Sequence, residues 1–186
     1  GSRSGPLRLL VFGGSQGAAR LNAVVPAALA TIDAASRPIV IHQAGDRHLA
    51  QAQELYAKHG VEADVRAFID DMAGAYAWAD LVVCRSGALT VSELAAAGLP
   101  AIFVPFAAAV DDHQTLNAKF LVDAQAAVSI AEAQLTPPRL ADELQKLLRG
   151  GRSTLAEMAS RARSVAIFDA DVRLADACDA VAGGAR

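Results

Sequence analysis

Leu81-Val82-Val83-Cys84-Arg85-Ser86-Gly87-Ala88-Leu89-Thr90-Val91-Ser92-Glu93 decides how the chain is read. An unbroken apolar run ends in a small polar turn with a glycine, and a helix-forming stretch follows at once. A short run without polar alternation fits a strand covered on both faces, as in a parallel sheet. The first N–H groups of the following helix lack intrahelical partners and carry the positive end of its dipole, so they suit an anion. Glu93 adds a hydrogen-bond acceptor further along the helix. A phosphate next to a vicinal diol would satisfy both features, which makes a nucleotide the first ligand to consider. Thr90 and Glu93 also have the spacing of a capping box, in which the carboxylate turns back to a backbone N–H. A helix that begins at Ser86-Gly87 places Glu93 beyond the cap and near the ligand edge.

A second turn of the same kind, Gly13-Gly14-Ser15-Gln16-Gly17, follows the strand-like Leu9-Leu10-Val11-Phe12. It is not the Gly-x-Gly-x-x-Gly dinucleotide fingerprint. The next strand ends in His42-Gln43-Ala44-Gly45, without the acid that would hold an adenosine ribose. One reading of the turn is close strand–helix packing alone. The other has Ser15 donating to a phosphate oxygen through its hydroxyl and N–H, with Gly13, Gly14, Gln16 and Gly17 around it.

Outward from these turns, strand and helix alternate. Strands are expected at Arg8–Phe12, Pro38–Gln43, Ala63–Phe68, Leu81–Cys84, Ala101–Pro105 and Ala127–Ile130. Helices are expected at Gln16–Asp33, Arg47–His59, Asp70–Ala79, Ala88–Ala97 and about Asp112–Gln125. Three more follow at Arg139–Leu148, Ser153–Val165 and Val172–Val181. Asp70 is the expected N-cap of the third helix, Gly98-Leu99-Pro100 stops the fourth, and Pro137-Pro138 opens the sixth. Strands joined by helices of this length need right-handed crossovers, so the expectation is one Rossmann-like α/β domain. It has a parallel six-stranded sheet with helices on both faces, and ligands at the carboxyl edge. Residues 1–6 read as a tag or linker remnant and 7–186 as the domain.

Composition narrows the function. At 186 residues, 53% hydrophobic but only 5% aromatic, the core is built from Ala, Val, Leu and Ile rather than from a stacking platform for single strands. A net charge of −3 without a Lys/Arg cluster argues against nucleic acid as a partner. No apolar run reaches the length of a membrane span. Cys84 and Cys178 lack metal-type spacing. Cys84 falls in an apolar strand, where a reduced buried thiol is expected, and nothing reads as a signal peptide, which fits a reducing cytoplasmic setting. Asp70-Asp71 and Asp111-Asp112 sit at helix starts and read as caps, and the histidines have no ligand spacing, so no metal is expected. Gln114, after the fifth strand, can donate and accept and suits sugar hydroxyls, or it is a solvated helix start.

Several of these stretches occur together in one order. They are Phe12-Gly13-Gly14-Ser15-Gln16-Gly17, His42-Gln43-Ala44-Gly45, Phe68-Ile69-Asp70-Asp71-Met72, Cys84 through Glu93, and Val104-Pro105-Phe106 with Asp111-Asp112-His113-Gln114 and Asn117-Ala118. In that order they resemble the MurG family of bacterial glycosyltransferases, from about Leu7 to the last helix. The resemblance implies the C-terminal, donor-binding half of a two-domain GT-B enzyme that moves N-acetylglucosamine (GlcNAc) from UDP-GlcNAc to lipid I, making lipid II for peptidoglycan. It implies that Ser15 and its turn, with Gly87, meet the donor phosphates, and that Ile69 meets uracil through its backbone. Ala88, Leu89, Thr90, Val91 and Ser92 would line the nucleotide pocket, Glu93 would hold the ribose and Gln114 the GlcNAc hydroxyls. It implies no cofactor and no metal. Lipid I, membrane contact at the cytoplasmic face of the inner membrane and the catalytic base would belong to an N-terminal domain that this stretch lacks. One departure stands out: Ala107 and Ala108 follow Phe106, where the family often has proline and histidine. Three other readings are a stand-alone donor-binding subunit with a separate acceptor-binding partner, a UDP-GlcNAc 2-epimerase-like domain and a nicotinamide dehydrogenase.

Overall fold

The computed structural model describes residues 3–14, 18–106 and 112–183. Its strands are β1 (Arg8–Phe12), β2 (Ile39–Gln43), β3 (Asp64–Arg66), β4 (Leu81–Cys84), β5 (Ala101–Phe103) and β6 (Ala127–Ser129). Its helices are α1 (Ala19–Ala30), α2 (Leu49–Lys58), α3 (Met72–Trp78), α4 (Ala88–Ala97), α5 (His113–Asp123), α6 (Pro137–Ser164) and α7 (Ala170–Gly183). All the strand pairs are parallel, in the order β3-β2-β1-β4-β5-β6. The chain lays strands outward from β1 to one edge, then returns to place β4 on the other side of β1. That reversal makes the β1–β4 seam the topological switch point.

Side chains alternate across the sheet and feed two cores. Leu9 and Val11 of β1 join Leu21, Val25 and Leu29 of α1 and Leu140 and Leu144 of α6 on one face. Leu10 and Phe12 join Ala75 of α3, Leu94 of α4 and Leu121 of α5 on the other. Cys84 is fully buried in this second core, where burial pushes its thiol well above the ordinary range; Cys178 is exposed. Both are free thiols.

Local chemistry explains most element ends. α4 stops at Gly98, whose φ of 63° suits a residue without a Cβ, and Leu99 N–H bonds back to the Leu94 carbonyl at 2.9 Å. Asp71, not Asp70, caps α3: its carboxylate accepts the Gly74 N–H at 2.8 Å. β3 is shorter than Ala63–Phe68 because this edge strand pairs only with Ile41–Gln43 of β2. β5 ends at Phe103, two residues before Pro105, which has no N–H for the ladder. α6 begins with Pro137 behind Thr136, whose hydroxyl accepts the Arg139 N–H at 3.3 Å. It is broken at Gly151 (φ 62°, ψ −163°), between the two helices expected there.

A buried polar chain fastens α1 and α2 to the end of β2. Asn22 donates from Nδ2 to the Ala44 carbonyl at 2.9 Å, which leaves its Oδ1 to accept from His42 Nε2 at 3.0 Å. His42 Nδ1 is then the acceptor for the Tyr56 hydroxyl at 2.9 Å. Every member is satisfied only with His42 neutral, and burial lowers its pKa to about 4.

Candidate functional site

A cleft of about 670 Å³ opens at the carboxyl ends of β1 and β4. Phe12 and Cys84 are register partners, so the two glycine turns leave neighbouring strands at the same level. Gly13 and Gly14 line the cleft from one turn, Gly87 and Thr90 from the other. The helices that follow are α1 and α4, with Ala18 and Gly87 at their N-caps. Neither N-cap has a side-chain bond, and neither first turn carries an acid. Asp71 and Thr136 close the starts of α3 and α6, while α2 and α5 also lack a side-chain cap bond; α1 and α4 are set apart by the paired strands that bring their starts to the cleft. Their N–H groups and dipoles converge on one volume, which favours an anion.

Two guanidinium groups stand at the cleft, together with the carboxylate of Glu132, which offsets part of their positive charge. Arg20, in the first turn of α1, reaches the Leu135 carbonyl at 2.7 Å. Arg85 follows β4, donates to the Val104 and Pro105 carbonyls at 3.1 and 3.3 Å, pairs with Glu132 and lies 5.1 Å from the centre of the Phe106 ring. Both arginines line the cleft.

The far wall is tied to the β4 turn. Ser86 is fully buried and donates from its hydroxyl to the Gln114 carbonyl at 2.8 Å, while Asn117 donates to the Ser86 carbonyl at 3.1 Å. Gln114 accepts the Phe106 N–H through its side chain at 2.9 Å and lines the cleft. On the opposite side, Gln43 donates to the Gly14 carbonyl at 2.9 Å and accepts the Ile69 N–H at 3.1 Å.

The sequence-predicted residues therefore divide into groups. Gly13, Gly14, Gly87, Thr90 and Gln114 meet at the cleft. Ile69 is buried, with its N–H engaged by Gln43. Val91 faces the core, whereas Ala88, Leu89 and Ser92 are exposed on α4. α4 begins at Ala88, so Glu93 lies beyond its first turn and the capping box does not form. Glu93 is exposed and accepts the Tyr76 hydroxyl at 2.8 Å. Tyr76 also packs against the cleft residue Phe12, with ring centres 6.1 Å apart. Burial, and then the bond to Glu93, raise the Tyr76 pKa above the ordinary phenol range. Ser15, Gln16, Gly17, Ala107, Ala108 and Asp111 lie outside the described residues.

Sequence reading passed over Arg20, Arg85, Gln43 and Tyr76 as site residues. Arg85 carried a usable signal, a cation directly between an apolar strand and a glycine turn. A larger hollow of about 960 Å³ lies at the β2–β3 edge, but no α-helix starts in it, and its Arg37 is spent on the Ile32, Gly60 and Ala30 carbonyls. Among the described residues no group of His, Cys, Asp and Glu is arranged to hold a metal ion. No helix among them is long and apolar enough to cross a membrane.

The sheet order and the converging helix ends define a doubly wound α/β domain with an anion-receiving cleft at its switch point. The chain belongs to the glycosyltransferase family 28 C-terminal domain family, whose family model matches residues 8–174. It is 58% identical over 176 residues to the UDP-N-acetylglucosamine–N-acetylmuramyl-(pentapeptide) pyrophosphoryl-undecaprenol N-acetylglucosamine transferase of Chromohalobacter salexigens, covering 95% of this chain and 48% of that protein. The protein of the same name from Bordetella parapertussis is 56% identical over 180 residues, covering 97% of this chain and 50% of the relative. Among solved structures, Acinetobacter baumannii MurG superposes with a TM-score of 0.86 at 42% identity, covering 95% of this chain and 53% of that one. The chain thus spans about half the length of the curated relatives it matches.

Proposed function

We propose that this chain is the donor-binding domain of an inverting transferase that moves GlcNAc from UDP-GlcNAc to lipid I, forming lipid II for peptidoglycan at the cytoplasmic face of the membrane. The observation that carries the reading is the pair of uncapped helix starts, α1 and α4, side by side at the switch point with Arg20 and Arg85. The names of the relatives supply the sugar donor and the lipid-linked acceptor. The donor diphosphate lies against both helix ends and the Ser15 turn. Ile69 meets the uracil, the α4 segment Ala88–Ser92 borders the nucleoside, Glu93 takes the ribose hydroxyls and Gln114 the GlcNAc hydroxyls. The domain spans residues 7–186. The acceptor site, the catalytic base and the membrane-facing surface are assigned to the part of the relatives that this chain does not span.

The chemistry is a displacement. The C4 hydroxyl of the muramyl sugar attacks the anomeric carbon and gives its proton to the base, while the bond to the UDP oxygen breaks. Negative charge grows on the β-phosphate oxygen, where fixed N–H donors, helix dipoles and guanidinium groups stabilise it without having to reorganise. That positive field does the work a divalent ion would otherwise do, so the transfer is proposed to be metal-independent. Calorimetry of this chain with UDP-GlcNAc, with magnesium and with EDTA, tests the reading. Equal affinity in both buffers is expected, and no binding or binding only with magnesium would count against it. Glu93→Ala should weaken UDP by about ten- to a hundred-fold, the worth of roughly 1.5–3 kcal/mol for hydrogen bonds to a charged group. Unchanged affinity in the folded variant removes the ribose role.

A further inference from the structure

We propose that Gln43 is a positioning residue that locks the phosphate-facing turn after β1 to the base-facing segment after β3, so that both ends of a nucleoside diphosphate are received at one separation. The inference rests on the donor-site reading above. Gln43 is the last residue of β2, the strand lying between β1 and β3. Its side chain is buried at 3% exposure and spans sideways across the sheet edge. Nε2 donates to the Gly14 carbonyl at 2.9 Å, and Oε1 accepts from the Ile69 N–H at 3.1 Å. A carbonyl only accepts and an N–H only donates, so a single orientation of the carboxamide satisfies both. Gly14 has a φ of 90° and Ile69 lies beyond the last residue of β3, so neither is held in a strand ladder. Among the described residues, the Gln43 side chain is the one that hydrogen-bonds directly to both Gly14 and Ile69.

Gln43 acts through those two backbone groups and touches neither phosphate nor base. Its effect is therefore on linkage. Each half of the ligand can bind its own segment with the brace absent, but a molecule that carries both halves gains only if the segments stand at the right separation. Gln43→Met keeps the side-chain length and removes both bonds. Gln43→Glu keeps the acceptor toward Ile69 and removes the donor toward Gly14.

The experiment titrates this chain and both variants with UDP, uridine and inorganic pyrophosphate, followed by backbone amide NMR. Gln43→Met should weaken UDP by about ten-fold, one to two neutral hydrogen bonds' worth, with uridine and pyrophosphate each within about two-fold of wild type. If Gln43→Met does not fold, Gln43→Glu carries the test, with UDP weakened and uridine unchanged. Equal UDP affinity in variant and wild type overturns the brace. So does a parallel loss for all the ligands, which is what a merely loosened fold produces. A wild-type chain that binds no UDP overturns the donor-site reading and this inference with it.

Discussion

Acidification from pH 7.5 to 5 should destabilise the chain through His42 by a calculable amount. The imidazole is fully buried and accepts from Tyr56 while donating to Asn22, an arrangement open only to the neutral ring. Burial lowers its pKa from 6.5 to about 4. The unfolded chain takes up a proton at 42 below pH 6.5, whereas the folded chain does not until about pH 4. Stability from this group is thus complete above pH 6.5 and is lost progressively as the pH falls toward 4. At about 1.4 kcal/mol per pKa unit, the whole difference is worth about 3 kcal/mol, of which about 2 kcal/mol is gone by pH 5. Urea unfolding followed by the fluorescence of Trp78, the single tryptophan, measures it in wild type and in His42→Gln. Wild type should lose about 2 kcal/mol more than the variant between the two pH values. Matching losses, or a folded-state His42 ring that titrates near its ordinary value by NMR, would refute the reasoning. The network also matters to the cleft, because Asn22 belongs to α1, whose first turn lines it.

Two further perturbations address the cleft directly. A Cβ at Gly13 would lie 2.2 Å from the Ala18 Cβ and 2.6 Å from the Ala18 nitrogen, so Gly13→Ala must push the start of α1 away. A cost of about 1–3 kcal/mol in urea unfolding is expected, together with weaker UDP binding; an unchanged midpoint would contradict the packing. Arg85→Gln should weaken UDP by about ten-fold and uridine by less than about two-fold, since the lost charge serves the phosphates. Calorimetry with both ligands reads the split, and equal losses would place the arginine's role in folding alone.

Legibility followed the range of each signal. β4 and α4 occupy the spans expected of them, because an apolar run, a turn glycine and the Gly98-Leu99-Pro100 stop act within a few residues. The choice between Asp70 and Asp71 was not legible, since the two carboxylates are adjacent and only the approach of the chain decides which reaches Gly74. The shortness of β3 depends on how far its partner extends along the edge. Gln43 was visible as a residue that is not the acid of a dinucleotide site. Its positive role was not visible, because its partners are 29 and 26 positions away. The same holds for Arg20, held by a carbonyl 115 positions distant, and for Arg85, paired 47 positions away.

The amino-acid order alone determined the alternation of buried strands and helices, the parallel sheet, and the presence of two turns that free helix N–H groups at strand ends. Periodicity and turn chemistry are local, and they survive in any arrangement of the elements. Tertiary structure decided that the two turns stand on paired strands and that Arg20, Arg85 and Gln114 face one volume. It also decided that Gln43 spans from one loop to the next and that Glu93 meets Tyr76. Those outcomes depend on strand order and on which helix covers which face, set by burial summed over the whole sheet rather than by any one segment.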